Sequence, residues 1–266
     1  MTESEIEDRY GAARSIARSA GQLALDYFNN RERLTVELKG PTDYVSHADR
    51  DVENTIRREL AAKFPGDTFL GEETAATFTG PVERCWVVDP IDGTHNFLRG
   101  MPYWNVSIGF VADGRTQVGV VYDPPSDALY HGRRGCGAFC RTPENESRLR
   151  AASTRTLAGS YVAFGHHDRS FDERYFDVRR RMMETGIAMR NFGAAALQLA
   201  HVASGRLDGF IELTLSAWDA TAGLLLVEEA GGFHLPFAPA APTAKAMCVA
   251  SAAGIGAELA ALVTTR

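Results

Sequence analysis

Trp86-Val87-Val88-Asp89-Pro90-Ile91-Asp92-Gly93-Thr94-His95-Asn96 runs an apolar strand straight into two acids, a glycine and a threonine. The apolar run predicts a buried strand over 85–88. Pro90 has no N–H to give to a ladder, so it predicts the strand's end. Gly93-Thr94 lets the chain turn closely, and a short helix beginning at Thr94 would present unsatisfied backbone N–H groups, a natural seat for phosphate. Two carboxylates beside that seat would repel the anion unless hard divalent cations lay between them. Mg²⁺ takes oxygen ligands and binds through few carboxylates plus substrate phosphate. Taken singly, Asp89-Pro90 and Asp92-Gly93 read first as turn residues; taken together they point to metal-assisted phosphoryl chemistry.

Upstream, Ile6, Tyr10, Ala13, Ala17, Ala20, Leu23, Ala24 and Tyr27 recur at steps of three and four, one face of a long helix. Gly40-Pro41 makes 39–44 a loop or turn. Ser46-x-x-Asp49 reads as a helix start, followed by Val52, Ile56, Leu60 and Phe64 up to Pro65-Gly66. Strands are expected over 68–70, 103–111, 117–122 and 129–131, with Asp113-Gly114 as a hairpin turn. Beyond about residue 145 the pattern changes to helices over 172–185, 194–204 and 220–230, with short strands at 160–164, 209–212 and 247–250. The stretch 238–246, rich in Ala and Pro, reads as a surface loop. The expectation is an α/β chain of α+β type in two packed sub-domains, 1–145 and 146–266. Acids recur where such folds assemble sites: Gly71-Glu72-Glu73 after a strand, and Trp218-Asp219 at a helix start, where Asp219 could also be a simple cap.

The 266 residues are 45% hydrophobic and 23% charged, ordinary proportions for a globular protein. Thirty-four acids against 28 bases leave a net charge of −6, which argues against nucleic acid as the main partner. Residues 1–10 are acidic and polar, unlike a secretory leader, and no run approaches the roughly 18–20 apolar residues of a membrane span. Cys85, Cys136, Cys140 and Cys248 form no C-x-x-C pair, so reduced thiols in a cytoplasm are expected.

Gly71-Glu72-Glu73, Asp89-Pro90-Ile91-Asp92-Gly93-Thr94-x-Asn96 and Trp218-Asp219-Ala220-x-Ala222-Gly223 with Glu229-Ala230-Gly231-Gly232 resemble the motif set of the inositol monophosphatase family. The resemblance runs from about Lys39 to Gly232. It implies a layered αβαβα sandwich, a Mg²⁺-dependent, lithium-sensitive phosphatase acting on a small phosphorylated metabolite, and a homodimer. Carried over residue by residue, it implies that Glu72, Asp89 and the Ile91 carbonyl hold one Mg²⁺. Asp89, Asp92 and Asp219 hold a second, and Glu72 also faces a weaker third. Gly93 and Thr94 offer backbone N–H groups to phosphate, and Asp49 works with Thr94 on the attacking water. Glu73 stands behind the ligands, and Lys39 lies near a mobile metal loop. Glu212, the Ala195 backbone and Arg190 contact substrate.

Inositol monophosphate is the first choice of substrate. Histidinol phosphate is the alternative, because Glu212 could hydrogen-bond a hydroxyl or an amine, and a non-catalytic protein retaining the fold is the rival from another class. The segments at 165–169, 235–245 and 140–143 depart from the family's usual pattern, which leaves inositol specificity open. Adjacent histidines in a strand would point to opposite faces, so His166-His167 reads as a surface or interface pair rather than a shared ligand set. His95 reads as a rim residue.

Overall fold

The computed structural model describes residues 1–34, 36–40, 43–165 and 173–264. Helix α1 (Glu3–Asn29) starts at a capping box between Thr2 and Glu5 and buries Ala13, Ile16, Ala17, Ala20 and Ala24 along one face. A hairpin of β1 (Val36–Gly40) and β2 (Asp43–Ser46) leads into helix α2 (His47–Lys63). The Ser46 side chain caps α2, Asp49 returns a bond to the Ser46 N–H, and the helix buries Ala48, Val52, Ile56 and Leu60. Of the expected loop or turn at 39–44, residues 39–40 and 43–44 belong instead to the paired arms, and 41–42 lie outside the described residues. The two short arms pair with each other, and a strand defined by pairing leaves little periodic trace in sequence.

Seven strands follow in one sheet, ordered as they occur in the chain. They are β3 (Thr68–Gly71), β4 (Arg84–Asp92), β5 (Asn105–Ala112), β6 (Arg115–Asp123), β7 (Ala128–Arg133), β8 (Gly137–Arg141) and β9 (Glu146–Arg148). Helix α3 (Thr94–Leu98) sits between β4 and β5. All pairs are antiparallel except β3 with β4. Asp67, just before β3, accepts from the buried Arg9 through both carboxylate oxygens (2.7 and 2.9 Å), from Arg84 (3.0 Å) and from the Trp86 indole (3.2 Å). This fastens α1 to the rim of the sheet.

The second half adds β10 (Tyr161–Gly165), α4 (Glu173–Glu184), β11 (Ala188–Arg190), α5 (Ala195–Ala203), β12 (Gly209–Leu215), α6 (Ala217–Glu229), β13 (Phe233–His234), β14 (Ala246–Ser251) and α7 (Gly256–Thr264). Its five strands are ordered β11-β10-β12-β14-β13. Helices α1 and α2 cover one face of the large sheet, α5 and α6 fill the space between the sheets, and α7 backs the small sheet with α4 packed beside it. The layers thus run αβαβα. Each interlayer space has its own apolar core, and the central one is built from Ala196, Leu197, Leu199, Ala200, Ala222 and Leu226. Small residues let the middle helices approach closely. An added methyl at Gly119 would meet the Ala222 carbonyl at 2.6 Å, and one at Gly223 would meet Leu199 at 2.5 Å.

The main correction concerns Pro90. Strand β4 does not stop there but continues to Asp92. Asp89 lies opposite Ser107 and Asp92 opposite Asn105, so Pro90 and Ile91 together face the single residue Val106. That is a β-bulge, where a residue lacking an N–H is tolerated. In a regular strand, residues three apart point to opposite faces. The extra residue cancels that alternation and turns Asp89 and Asp92 to the same side, the side facing α6.

Candidate active site

The bulge on β4 meets the first turn of α6. Carboxylate oxygens of Asp89, Asp92 and Asp219 all lie within 4.8 Å of one another. Asp219 is the third residue of α6 and accepts from the Ser216 N–H (3.2 Å), so it is a helix-capping acid and a member of the cluster at once. Asp89 accepts from the Ile91 N–H (3.0 Å). Asp92 is held by three donors: Ala195 N–H on one oxygen (3.0 Å), and Ala196 N–H and the Asn105 amide on the other (both 2.7 Å). It therefore also satisfies the first turn of α5. Ser107 donates to the Trp218 carbonyl (3.2 Å) and ties α6 to β5 beneath the cluster.

Crowding these acids costs free energy. Burial first, then the charges of Glu72, Asp92 and Asp219, raise the Asp89 carboxyl well above its ordinary range. Burial and then Asp219 push Asp92 up to about 7, against the lowering effect of its three hydrogen bonds. An all-oxygen donor set, buried at Asp89 and Asp92 and half-buried at Asp219, whose members repel one another suits a hard divalent cation, which would neutralise the charge that burial disfavours.

A pH dependence follows. A carboxyl whose pKa is higher folded than unfolded binds more protons in the native state, so stability falls as pH rises from the unfolded value towards the folded one. The metal-free protein is expected to lose thermal stability between about pH 4 and pH 7. Added Mg²⁺ should raise the melting temperature more at pH 8 than at pH 5. Scanning calorimetry in chelator and in Mg²⁺ at both values is the check, and an equal rise at both would contradict the cluster's role.

Around the three acids, Thr94 opens α3 behind Gly93, whose φ of +95° a side chain would strain. The Thr94 hydroxyl lies 3.1 Å from the Ile91 carbonyl and 3.4 Å from Asp49 Oδ1. Asp49 is buried, and its Oδ2 accepts from the Ser46 N–H (2.8 Å) and hydroxyl (2.7 Å), with Oδ1 turned to Thr94. Glu72 follows β3, its N–H donating to the Val88 carbonyl (3.1 Å), close enough to Asp89 to act on its ionisation. The Glu73 N–H donates to Glu53 (2.7 Å).

The remaining expected residues are spread more widely. Glu212 is buried on β12, opposite Cys248 and against Gly165, and with Asp219 it adds to the rise that burial gives the Cys248 thiol. Ala195 spends its N–H on Asp92. Arg190 lies exposed on the edge strand β11 with its guanidinium over the Tyr161 ring, 4.7 Å from the centroid. Lys39 falls in β1. His166-His167 lies outside the described residues.

Sequence reasoning missed Asn105, Ser107 and Glu53. Asn105 and Ser107 could have been found from the β4–β5 pairing, had the strand been carried past Pro90. Phe97 and Trp104, expected as packing behind the loop, are fully buried with ring centroids 5.0 Å apart. Asn96 donates to the carbonyls of Tyr103 (2.8 Å) and Phe192 (2.7 Å), locking α3 to the segment before α5.

An αβαβα sandwich with an all-carboxylate cluster, two of its three acids buried, where a bulged strand meets a helix start defines an α/β protein equipped for divalent cations. A model of the inositol monophosphatase family matches residues 5–265. The inositol-1-monophosphatase of Mesorhizobium japonicum is 44% identical over 224 residues, covering 84% of this chain and 80% of that protein. A protein named Nus factor SuhB from Escherichia coli (strain K12) is 37% identical over 223 residues, covering 83% and 82%. The crystal structure of extragenic suppressor protein suhB from Bartonella henselae matches with a TM-score of 0.84 at 35% identity, covering 96% of this chain and 98% of that one. The chain belongs to the inositol monophosphatase family, whose members are metal-dependent, and it is a phosphoric monoester hydrolase. No helix among the described residues is long and apolar enough to cross a membrane.

Proposed function

We propose that the chain hydrolyses a small phosphorylated metabolite with Mg²⁺ as cofactor, and that inositol monophosphate is its substrate. The convergence of Asp89, Asp92 and Asp219 from β4 and α6 carries the Mg²⁺ reading. Relatives 41–44% identical and named inositol-1-monophosphatase support the substrate. Glu72, Asp89, Asp92, Asp219 and the Ile91 carbonyl would hold two or three Mg²⁺. Bound there, such ions would screen the charge of the phosphate and would stabilise the attacking and leaving oxygens of an in-line displacement.

The chain's own groups do the rest. Gly93 and Thr94 turn backbone N–H groups to the phosphate oxygens. The Thr94 hydroxyl has a single proton. Given to Asp49 Oδ1, it leaves the Thr94 oxygen able to take a proton from the attacking water as the new P–O bond forms, and the alkoxide leaves with the electrons of the old one. Glu212, buried on β12, would receive the substrate's hydroxyls, with the Ala195 backbone and Arg190 as further substrate contacts. Glu73 and Lys39 would support the ligands from behind. The two sub-domains, 1–145 and 146–266, would each supply part of the site, Asp89 and Asp92 from the first and Asp219 and Glu212 from the second. Four unpaired cysteines are consistent with a reducing cytoplasm, and the family likeness with a homodimer.

Phosphate release measured with and without Mg²⁺ tests the chemistry, and kcat/KM on inositol 1-phosphate and histidinol phosphate side by side tests the substrate. Turnover should require the metal. Inositol 1-phosphate should be favoured at least about tenfold, the discrimination a few hydrogen bonds supply. A preference for histidinol phosphate would overturn the substrate, and metal-independent release would overturn the mechanism.

A further inference from the structure

Glu53 is an acid in the middle of α2, almost wholly buried, that the reaction above does not use. Its Oε2 accepts from the Glu73 N–H at 2.7 Å and its Oε1 from the Thr74 hydroxyl at 2.8 Å. Gly71 leaves it that room: a methyl there would collide with Glu53 Oε2. The Glu72 N–H is tied to the Val88 carbonyl (3.1 Å) and the Glu72 carbonyl lies 3.4 Å from the Ala75 N–H. Backbone and carboxylate bonds therefore fix the peptide on both sides of Glu72. Glu53 lies one turn after Asp49, so the two acids share one face of α2. That face meets Thr94 at its first turn and the Glu72 turn at its second.

We propose that Glu53 is a positioning residue that sets the Glu72 carboxylate for its cation, making one rigid helix the common reference for the water-activating pair and for the metal ligand that follows β3. The inference rests on the phosphatase reading above. Residues that orient a ligand are typically worth about 10–100-fold in metal affinity.

Calorimetric titration of Mg²⁺ into the full-length protein tests this independently of turnover. Glu53→Ala should weaken Mg²⁺ binding by about 10–100-fold. Glu53→Gln keeps an oxygen that can accept from the Glu73 N–H, while its NH₂ can donate to the Thr74 hydroxyl oxygen, and it should recover most of the affinity. At saturating Mg²⁺ the Glu53→Ala enzyme should keep the wild-type KM for substrate. A role confined to stability would lower the melting temperature of both variants and leave metal affinity alone. A folded Glu53→Ala protein that binds Mg²⁺ like wild type overturns the proposal. Should that variant not fold, Gly71→Ala, which crowds the same carboxylate, takes its place: weakened binding is expected, and unchanged binding overturns the proposal. Failure of the wild-type protein itself to bind Mg²⁺ would sink the phosphatase mechanism instead.

Discussion

Asp92→Asn is expected to abolish turnover, with kcat/KM falling by at least about 10³-fold, the equivalent of roughly 4 kcal/mol of transition-state stabilisation. The substitution keeps the side chain's shape and removes its charge. It also breaks a hydrogen-bond pattern that an amide cannot reproduce. Both Asp92 oxygens accept, one from the Ala195 N–H and the other from the Ala196 N–H and Asn105. Whichever way the introduced amide turned, its NH₂ would face a donor, and a buried unmatched donor costs about 1–3 kcal/mol. Against that, one charge fewer relieves Asp89 and Asp219, so the metal-free variant at pH 8 need not be much less stable than wild type. Activity and stability therefore separate. Steady-state kinetics across a Mg²⁺ series, with circular dichroism to confirm the fold, would show it. Undiminished Mg²⁺-dependent hydrolysis in Asp92→Asn would remove the cluster from the mechanism.

How much of this was visible beforehand depends on the kind of signal. Long helices with one apolar face, such as α1 and α2, show themselves by period, and so does the buried run of β4. The acids Glu72, Asp89, Asp92 and Asp219 were legible because each follows a strand or opens a helix. Their convergence could not be read from spacing. It depends on the bulge at Pro90-Ile91, which a local reading takes for a strand end, since a missing N–H looks the same in either case. β9, β11 and β13 span two or three residues each and exist through their partners rather than through any pattern of their own. Helix α7 is short and rich in alanine, and it lacks the alternation with polar residues that marks a surface helix. Glu53 and Asn105 went unnoticed for a related reason. Each acts through a residue distant in the chain, and an acid in a helix or an amide at a strand start normally reads as solvent-facing.

Thr94→Val and Asp49→Asn should each lower kcat by about 10²–10⁴-fold, the usual value of a positioned proton acceptor. They should do so in a way that shows the two residues act in series. Ser46 occupies Asp49 Oδ2 through its N–H and hydroxyl, so the oxygen facing Thr94 is the one placed to take a proton. In Asp49→Asn the amide oxygen stays with the Ser46 N–H, and the NH₂ turns to Thr94. The Thr94 oxygen must then accept from the amide, its own proton points to the Ile91 carbonyl 3.1 Å away, and the water loses its acceptor. Thr94→Val removes the same relay from the other end, and Thr94→Ser restores it. Because either change breaks one path, the double variant should be scarcely slower than the worse single one. The Ser46 N–H keeps its acceptor in Asp49→Asn, so the reciprocal cap at the start of α2 survives, and a melting curve should move little while kcat falls. Losses that multiplied in the double variant would mean that Asp49 and Thr94 serve the reaction independently, and the proton would need another acceptor.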